Sequence, residues 1–77
     1  MSNERLIYKG QDITVDVTLK IEQIVAMIAA QRMMAFDDAY ASFTDTRTYD
    51  ALQNPDSLMW AESAEFIVDR YDEEIPR

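Results

Sequence analysis

Seventy-seven residues predict one small domain, residues 1–77, and the chain carries a formal charge of −8 without a single cysteine or histidine. That composition excludes disulfides, thiolate metal sites and the side chain that most often serves as acid and base at neutral pH. With one glycine and two prolines, the sequence favours a mainly α fold, a small bundle of three to four helices with a short N-terminal strand or hairpin.

A chain of this length buries only about 60% of its unfolded surface, so its core alone is marginal and association with a partner or another copy is the expected reinforcement. The acidic excess lies entirely from Phe36 onward, where eleven acids face three arginines. Such a surface repels phosphate backbones, which argues against nucleic-acid binding. It either steers the protein toward a basic protein surface or simply keeps the protein soluble.

The N-terminal segment, residues 1–17, is strand-like. The stretch "ITVDV" alternates Ile13, Val15 and Val17 with polar residues, and this period of two is typical of a strand. "RLIY" is the expected partner strand, and "KGQD" is the expected turn. Two strands alone are marginal in water, so we expect them to pack on the helices or to extend another sheet.

Residues 18–75 are predicted to form the helical bundle, beginning with a helix from about Leu19 to Met34 that Asp16 or Thr18 caps. Helical spacing places a core stripe on one face: Ile21, Ile24, Val25 and Ile28. The opposite side is also largely apolar and carries Ala26, Met27, Ala29, Ala30, Met33 and Met34. A helix that is apolar nearly all round is either buried between other elements or used on two sides.

A second helix is predicted for "MAFDDAYASF", with Asp37 and Asp38 placed favourably near its N-terminal dipole. Phe36, Tyr40 and Phe43 follow one another at i, i+4 and i+7. This spacing predicts an aromatic stripe that faces the first helix.

The stretch "TDTRTYDAL" predicts a cap at Thr44 or Asp45 and a short helical turn that carries Tyr49 and Leu52. "QNPDS" is the clearest break in the chain, because Pro55 fixes its own φ and disfavours helix at the residue before it. We expect this break to set the phase of the last helix.

That last helix is predicted to start at Asp56 or Ser57 and to run to about Glu74. Its core-facing arc contains Trp60, interpreted as a core anchor, with Ala64, Ile67, Val68 and Tyr71. A second stripe, bordered by acids, contains Met59, Phe66 and Arg70. The apolar arc is therefore wider than one core contact requires.

Surplus apolar surface is the main functional signal, because a small monomer rarely exposes so much of it. Methionine and aromatic side chains fill gaps in cores and are also enriched at protein interfaces, so a core role remains the alternative for each of them. We predict an association surface formed by Met27, Ala30, Met33, Met34, Met59, Phe66 and Arg70.

No set of residues combines into a catalytic or metal-binding pattern in the sequence. The serines have no histidine partner, the chain has no Gly-rich phosphate loop, and Asp37 and Asp38 point about 100° apart on a helix. We therefore predict that the protein is not an enzyme and uses no cofactor and no metal ion.

Targeting signals are not evident either. The N-terminus has no apolar signal-peptide region, and the longest apolar run, "IVAMIAA", is too short to span a bilayer. We therefore expect a cytoplasmic protein that does not insert into membranes.

Four stretches, in chain order, carry a family resemblance: "KIEQIVAMIAAQ", "MAFDDAYASF", "TYDAL" and "SLMWAESAEFIVDRYDEE". Their order resembles very small bacterial proteins of unknown function whose genes often lie beside genes for ADP-ribosyltransferase-like proteins. Many members have a Leu-His pair before the last helix, where this chain has Leu58-Met59-Trp60. The resemblance implies an accessory or antitoxin-like partner of a neighbouring toxin-like ADP-ribosyltransferase.

Three functional hypotheses follow. The first is non-enzymatic protein–protein binding, with the ADP-ribosyltransferase-like protein as the partner and occlusion of its active cleft as the effect. The second is a self-associating homo-oligomer in which the Ala/Met face or the "ITVDV" segment meets a second copy. The third is an acidic DNA mimic, whose binding collapses with salt, whereas a Met/aromatic interface persists.

Overall fold

The longest helix, α1, lies at the centre of the part of the chain that the computed structural model describes, residues 5–76. In chain order the elements are β1 (Ile7–Tyr8), β2 (Gln11–Asp12), α1 (Thr14–Arg32), α2 (Phe36–Thr44), α3 (Arg47–Leu52), two 3₁₀ turns (Pro55–Ser57 and Met59–Ala61) and α4 (Ala64–Glu74). Helices α2 and α4 pack directly on α1, and α3 packs against α2 and α4. The prediction of a mainly α bundle with an N-terminal hairpin is confirmed.

The hairpin is shorter than predicted and pairs Ile7 with Asp12 and Tyr8 with Gln11. Its two-residue turn places Lys9 and Gly10 at φ values of 50° and 82°. Positive φ at both central residues is the mark of a type I′ turn, whose twist matches that of the flanking strands. Residues 1–4 of the segment predicted to be strand-like lie outside the described residues.

The prediction of a strand over "ITVDV" is wrong, because α1 already begins at Thr14 instead of Leu19. Ile13 and Val17 are both buried and are spaced four residues apart, which continues the core stripe of the helix backward by one turn. Burial therefore overrides the β propensity of these residues. The Asp12 carboxylate accepts a hydrogen bond of 2.9 Å from the Thr14 amide at the new helix start. The prediction that Asp16 or Thr18 caps the helix is therefore wrong, because both lie inside α1.

The core lies between α1 and the three other helices. The predicted α1 stripe is confirmed: Ile21, Ile24, Val25 and Ile28 are buried. They share one cluster with Ala39 and Phe43 of α2, Leu52 of α3, and Ala64, Ile67, Val68 and Tyr71 of α4. Full burial of a single aliphatic or aromatic side chain stabilises a fold by about 1.5–3 kcal/mol. No helix within residues 5–76 is long and apolar enough to cross a membrane.

Helices α1 and α4 run in the same direction, and polar contacts join them at both ends. Near their starts, the Lys20 ammonium donates a hydrogen bond of 2.6 Å to the Glu62 carbonyl. Near their ends, the largely buried Arg32 guanidinium pairs with Asp72 at 2.8 Å, donates to the Ile75 carbonyl and lies 4.6 Å from the Tyr71 ring centroid. These contacts fix the register of the two helices.

The predicted aromatic stripe on α2 is only partly correct. Phe43 is buried together with Ala39, whereas Phe36 and Tyr40 are exposed. The Ala39–Phe43 side of α2 faces the core, and Tyr40 lies about 100° around the helix from Ala39. The cap of α3 is also one position later than predicted, because the Thr46 hydroxyl accepts from the Tyr49 amide at 3.1 Å.

The last helix begins at Ala64, so the prediction of a start at Asp56 or Ser57 is wrong. The preceding residues form two 3₁₀ turns separated by Leu58, whose φ is 62°. A non-glycine residue in this left-handed region interrupts helix, which is why "NPDS" starts a 3₁₀ turn and not the last helix. The predicted core arc nevertheless holds, because Ala64, Ile67, Val68 and Tyr71 are buried.

Trp60 lies in the second 3₁₀ turn and not on the last helix. It is half-buried and packs on the edge of the core, with its ring centroid 5.5 Å from that of Tyr8. Its indole nitrogen donates a hydrogen bond of 2.9 Å to the Pro55 carbonyl. Trp60 therefore joins the hairpin to the two 3₁₀ turns.

A substitution of Ser63 tests where α4 begins, because the Ser63 hydroxyl accepts a hydrogen bond of 3.1 Å from the Phe66 amide. We expect Ser63→Ala to lower the free energy of unfolding by about 1 kcal/mol, the usual loss for an N-cap. Urea denaturation followed by circular dichroism measures the change. Ser63→Asp is the matched control and should retain stability, since Asp also caps helices. Equal stability of Ser63→Ala and the parent would place the helix start elsewhere.

Candidate interaction surface

Three exposed large apolar side chains lie where α1 turns into α2. Met33 is 94% exposed, and Phe36 and Tyr40 are 47% and 45% exposed. Met33 ends α1 in the left-handed conformation, with φ at 55°, and α2 begins three residues later. Phe36 and Tyr40 are one helical turn apart, which brings their Cβ atoms to within about 6 Å of each other. We call Met33, Phe36 and Tyr40 the corner patch.

The rim of the corner patch is acidic. Asp37 and Asp38 are exposed in the first turn of α2, and residues 33–46 contain three aspartates and no lysine or arginine. Part of this charge has a structural reason, because the N-cap residue Ala35 makes no side-chain cap and carboxylates favour the positive end of the helix dipole. The result is an apolar surface with a negative border.

Tyr49 of α3 is half-buried and packs against the core. Its ring packs edge-on against buried Phe43, with 5.6 Å between centroids. Burial, followed by the neighbouring Tyr40 and then Asp50, raises the pKa of the Tyr49 phenol. The Tyr49 ring therefore joins α3 to the buried Phe43 of α2.

The seven residues predicted to form an association surface occupy several environments. Ala30 is exposed on α1, Met33 is exposed directly after α1, and Met27 is half-buried in a groove beside α4. Met34 and Met59 are half-buried and pack against the core. Phe66 and Arg70 lie together on α4. Their role in binding stays a prediction, but the structure distributes them over more than one face.

The side chains of Phe66 and Arg70 contact each other within α4. The Arg70 guanidinium lies 5.7 Å from the centroid of the Phe66 ring, and it reaches Glu73 at 3.4 Å. An exposed cation–π contact of this kind is worth about 0.5–1 kcal/mol. This contact therefore explains both side chains as parts of the α4 surface without a binding partner.

A groove on the α4 side of α1 contains Met27. Its volume is about 590 Å³, and its lining consists of Lys20, Gln23, Ala26, Met27, Ser63, Ala64 and Glu65. A cleft of about 300 Å³ adjoins it and shares Lys20 and Gln23, with Trp60 on its far wall. Within residues 5–76, no group of three or more acidic side chains converges to hold a metal ion.

The carboxylates with shifted pKa values act as helix caps. Glu74 accepts hydrogen bonds from the Arg47 amide at 2.7 Å, the Thr48 amide at 3.1 Å and the Thr48 hydroxyl at 2.9 Å. The bond from the Arg47 amide is the main reason why the pKa of Glu74 is lowered. A side chain at the end of α4 thus satisfies the orphan amides at the start of α3.

Asp12 has the same kind of role at the start of α1. Its hydrogen bonds from Thr14 and then from Arg5, at 2.9 Å, lower its pKa. A second groove of about 590 Å³ lies nearby and contains Arg5, the cation of this pair, together with Thr14 and Gln53. Both shifted carboxylates therefore have a structural explanation that needs no catalysis.

No protein-family model, no curated protein and no solved structure matches this chain. Function must therefore be argued from the side chains and their geometry.

Sequence reasoning did not identify Phe36 and Tyr40 as surface residues. Their spacing with Phe43 fits a single helix face, and only the packing of α2 shows that Phe43 alone enters the core. The intervening acids Asp37 and Asp38 gave no contrary signal, because charged residues lie between the core positions of any amphipathic helix.

The lowered pKa of Glu74 predicts that the fold loses stability in acid. Because its folded-state pKa lies below the ordinary value of 4.5, the cap is fully present above that pH and is lost as the pH falls through the lower value. We expect Glu74→Gln to reduce the free energy of unfolding at neutral pH by about 1 kcal/mol. The difference from the parent should shrink as the pH falls below 4.5.

Glu73→Gln is the matched control for this measurement. Glu73 is exposed and contacts only the Arg70 side chain, at 3.4 Å, among the hydrogen bonds of the described chain. Urea denaturation at a series of pH values should therefore show a smaller effect than that of Glu74→Gln. Equal effects of the two changes at neutral pH would contradict the capping role.

Proposed function

We propose that the protein acts by binding another protein through the corner patch and does not act as an enzyme. The observation that carries the proposal is the exposure of Met33, Phe36 and Tyr40 at one corner of the fold. Methionine, phenylalanine and tyrosine are enriched where proteins meet, and exposed apolar clusters on small domains mark such contacts. The proposal is supported by the structural use of both shifted carboxylates, Glu74 and Asp12.

The border of the corner patch specifies the chemistry of the partner. Asp37 and Asp38 favour a surface that presents lysine or arginine around an apolar centre. The charge accelerates and orients the encounter, while burial of the three apolar side chains supplies the affinity. This division distinguishes the proposal from a DNA mimic, for which binding depends on charge alone and is lost in salt.

A toxin-like ADP-ribosyltransferase remains the partner that the sequence resemblance implies. A cleft that binds a dinucleotide carries basic residues, which the acidic border of the corner patch complements. Co-expression with such a protein from a neighbouring gene tests this part of the proposal. Failure to bind and failure to rescue growth would together remove the antitoxin-like role, while leaving other protein partners open.

The corner patch itself is tested with the double variant Phe36→Ser/Tyr40→Ser. Purified parent and variant are immobilised and exposed to an extract of the native host, and the retained proteins are quantified by mass spectrometry. We expect one retained protein to be depleted about tenfold or more by the variant, because two central aromatic side chains are lost.

The matched control is Ile7→Ser on the hairpin, whose parent side chain is 48% exposed, close to that of Phe36. This variant should retain the same protein as the parent. Thermal unfolding should be similar for all three proteins, since the replaced side chains are exposed. Identical retained proteins for the parent and the double variant would overturn the proposal.

A further inference from the structure

Met33 combines a costly backbone conformation with a side chain that lies almost entirely in solvent. Its φ and ψ angles are 55° and 47°. In this left-handed region the Cβ atom of an L-residue crowds the following carbonyl oxygen. Met33 is nevertheless 94% exposed, so packing against the rest of the described chain does not offset the strain of its backbone.

The left-handed conformation follows from the way in which α1 ends. The amides of Met33 and Met34 both donate to the Ala29 carbonyl, the second over 2.9 Å. Such a hydrogen-bond pattern closes a helix with one left-handed residue, and glycine is the usual residue there because it has no Cβ atom. Methionine at position 33 therefore lowers the stability of the fold relative to glycine.

Two other non-glycine residues of the described chain have a positive φ, and both differ from Met33. Lys9, with φ at 50°, lies in the turn of the hairpin, and its ammonium is 5.5 Å from the centroid of the Tyr8 ring. Leu58, with φ at 62°, is 44% exposed, so more than half of its surface is covered. Of the two apolar residues in this conformation, Met33 is much the more exposed.

The residues on both sides of Met33 are fixed in the fold. Arg32 is largely buried and pairs with Asp72 at 2.8 Å, and Met34 is half-buried and packs against the core. The backbone of Met33 is therefore held between two anchored residues, and its side chain leaves the fold in a set direction. A backbone that is already ordered loses little further freedom when its side chain binds a partner.

We propose that Met33 is the anchor of the contact at the corner patch and enters an apolar pocket of the partner protein. This role rests on the binding function proposed above. Strained residues that the surrounding fold holds in place are found where proteins contact their ligands, and a methionine side chain adapts to an irregular pocket. Phe36 and Tyr40 pack beside it, and Asp37 and Asp38 face lysine or arginine side chains at the rim of the pocket.

Met33→Gly tests the anchor, because it should stabilise the fold and weaken binding at the same time. Removal of the strained side chain should raise the ratio of folded to unfolded protein about fivefold, measured by urea denaturation. With an extract of the native host as the probe, the variant should retain about tenfold less of the protein whose capture depends on Phe36 and Tyr40. A side chain with a purely structural role would not raise stability when it is removed.

Lys9→Gly is the matched control, because it relieves the same left-handed conformation in the hairpin turn, away from the corner patch. It should also raise stability, and it should leave the capture unchanged. Met33→Leu keeps an apolar side chain of similar volume at the strained position. It should therefore retain most of the protein that Met33→Gly loses.

Three results would overturn the anchor role of Met33. Undiminished capture by Met33→Gly, together with depleted capture by Phe36→Ser/Tyr40→Ser, would remove the anchor and spare the proposed binding function. Unchanged or lower stability of Met33→Gly would also remove it, because methionine would then cost the fold nothing at this position. A host extract without any protein that depends on Phe36 and Tyr40 would remove both the anchor and the binding function.

Discussion

The buried stripe of α1 is the constraint on which the described fold depends, because side chains from all three other helices share its cluster. Phe43, Leu52 and Tyr71 arrive from different helices and are each fully buried there. Their positions fix where α2, α3 and α4 lie, and Arg32 adds a polar tie between the ends of α1 and α4. With one face of α1 committed in this way, its opposite face is left to water or to another molecule.

The corner patch combines exposed aromatic side chains with an acidic border. Salt weakens the charged part of the contact proposed there and leaves the apolar part.

Periodicity in the sequence revealed the core but not the ends of the helices. Ile21 to Ile28 and Ala64 to Tyr71 were identified because a helical repeat of buried residues leaves a clear pattern. Ile13 and Val17 fit both the alternation of a strand and the four-residue spacing of a helix, so the local sequence alone did not distinguish strand from helix. Leu58 adopts a left-handed backbone that is rare for a leucine, and the start of α4 was therefore misplaced.

The exposure of Met33 has a chemical consequence for a cell under oxidative stress. Its thioether is open to solvent, whereas Met27, Met34 and Met59 are half-buried. Oxidation to the sulfoxide turns a flexible apolar group into a polar one, and reductases can reverse the change. Peroxide is therefore expected to oxidise Met33 before the half-buried methionines, which would make the proposed contact at the corner patch more polar and leave the core intact.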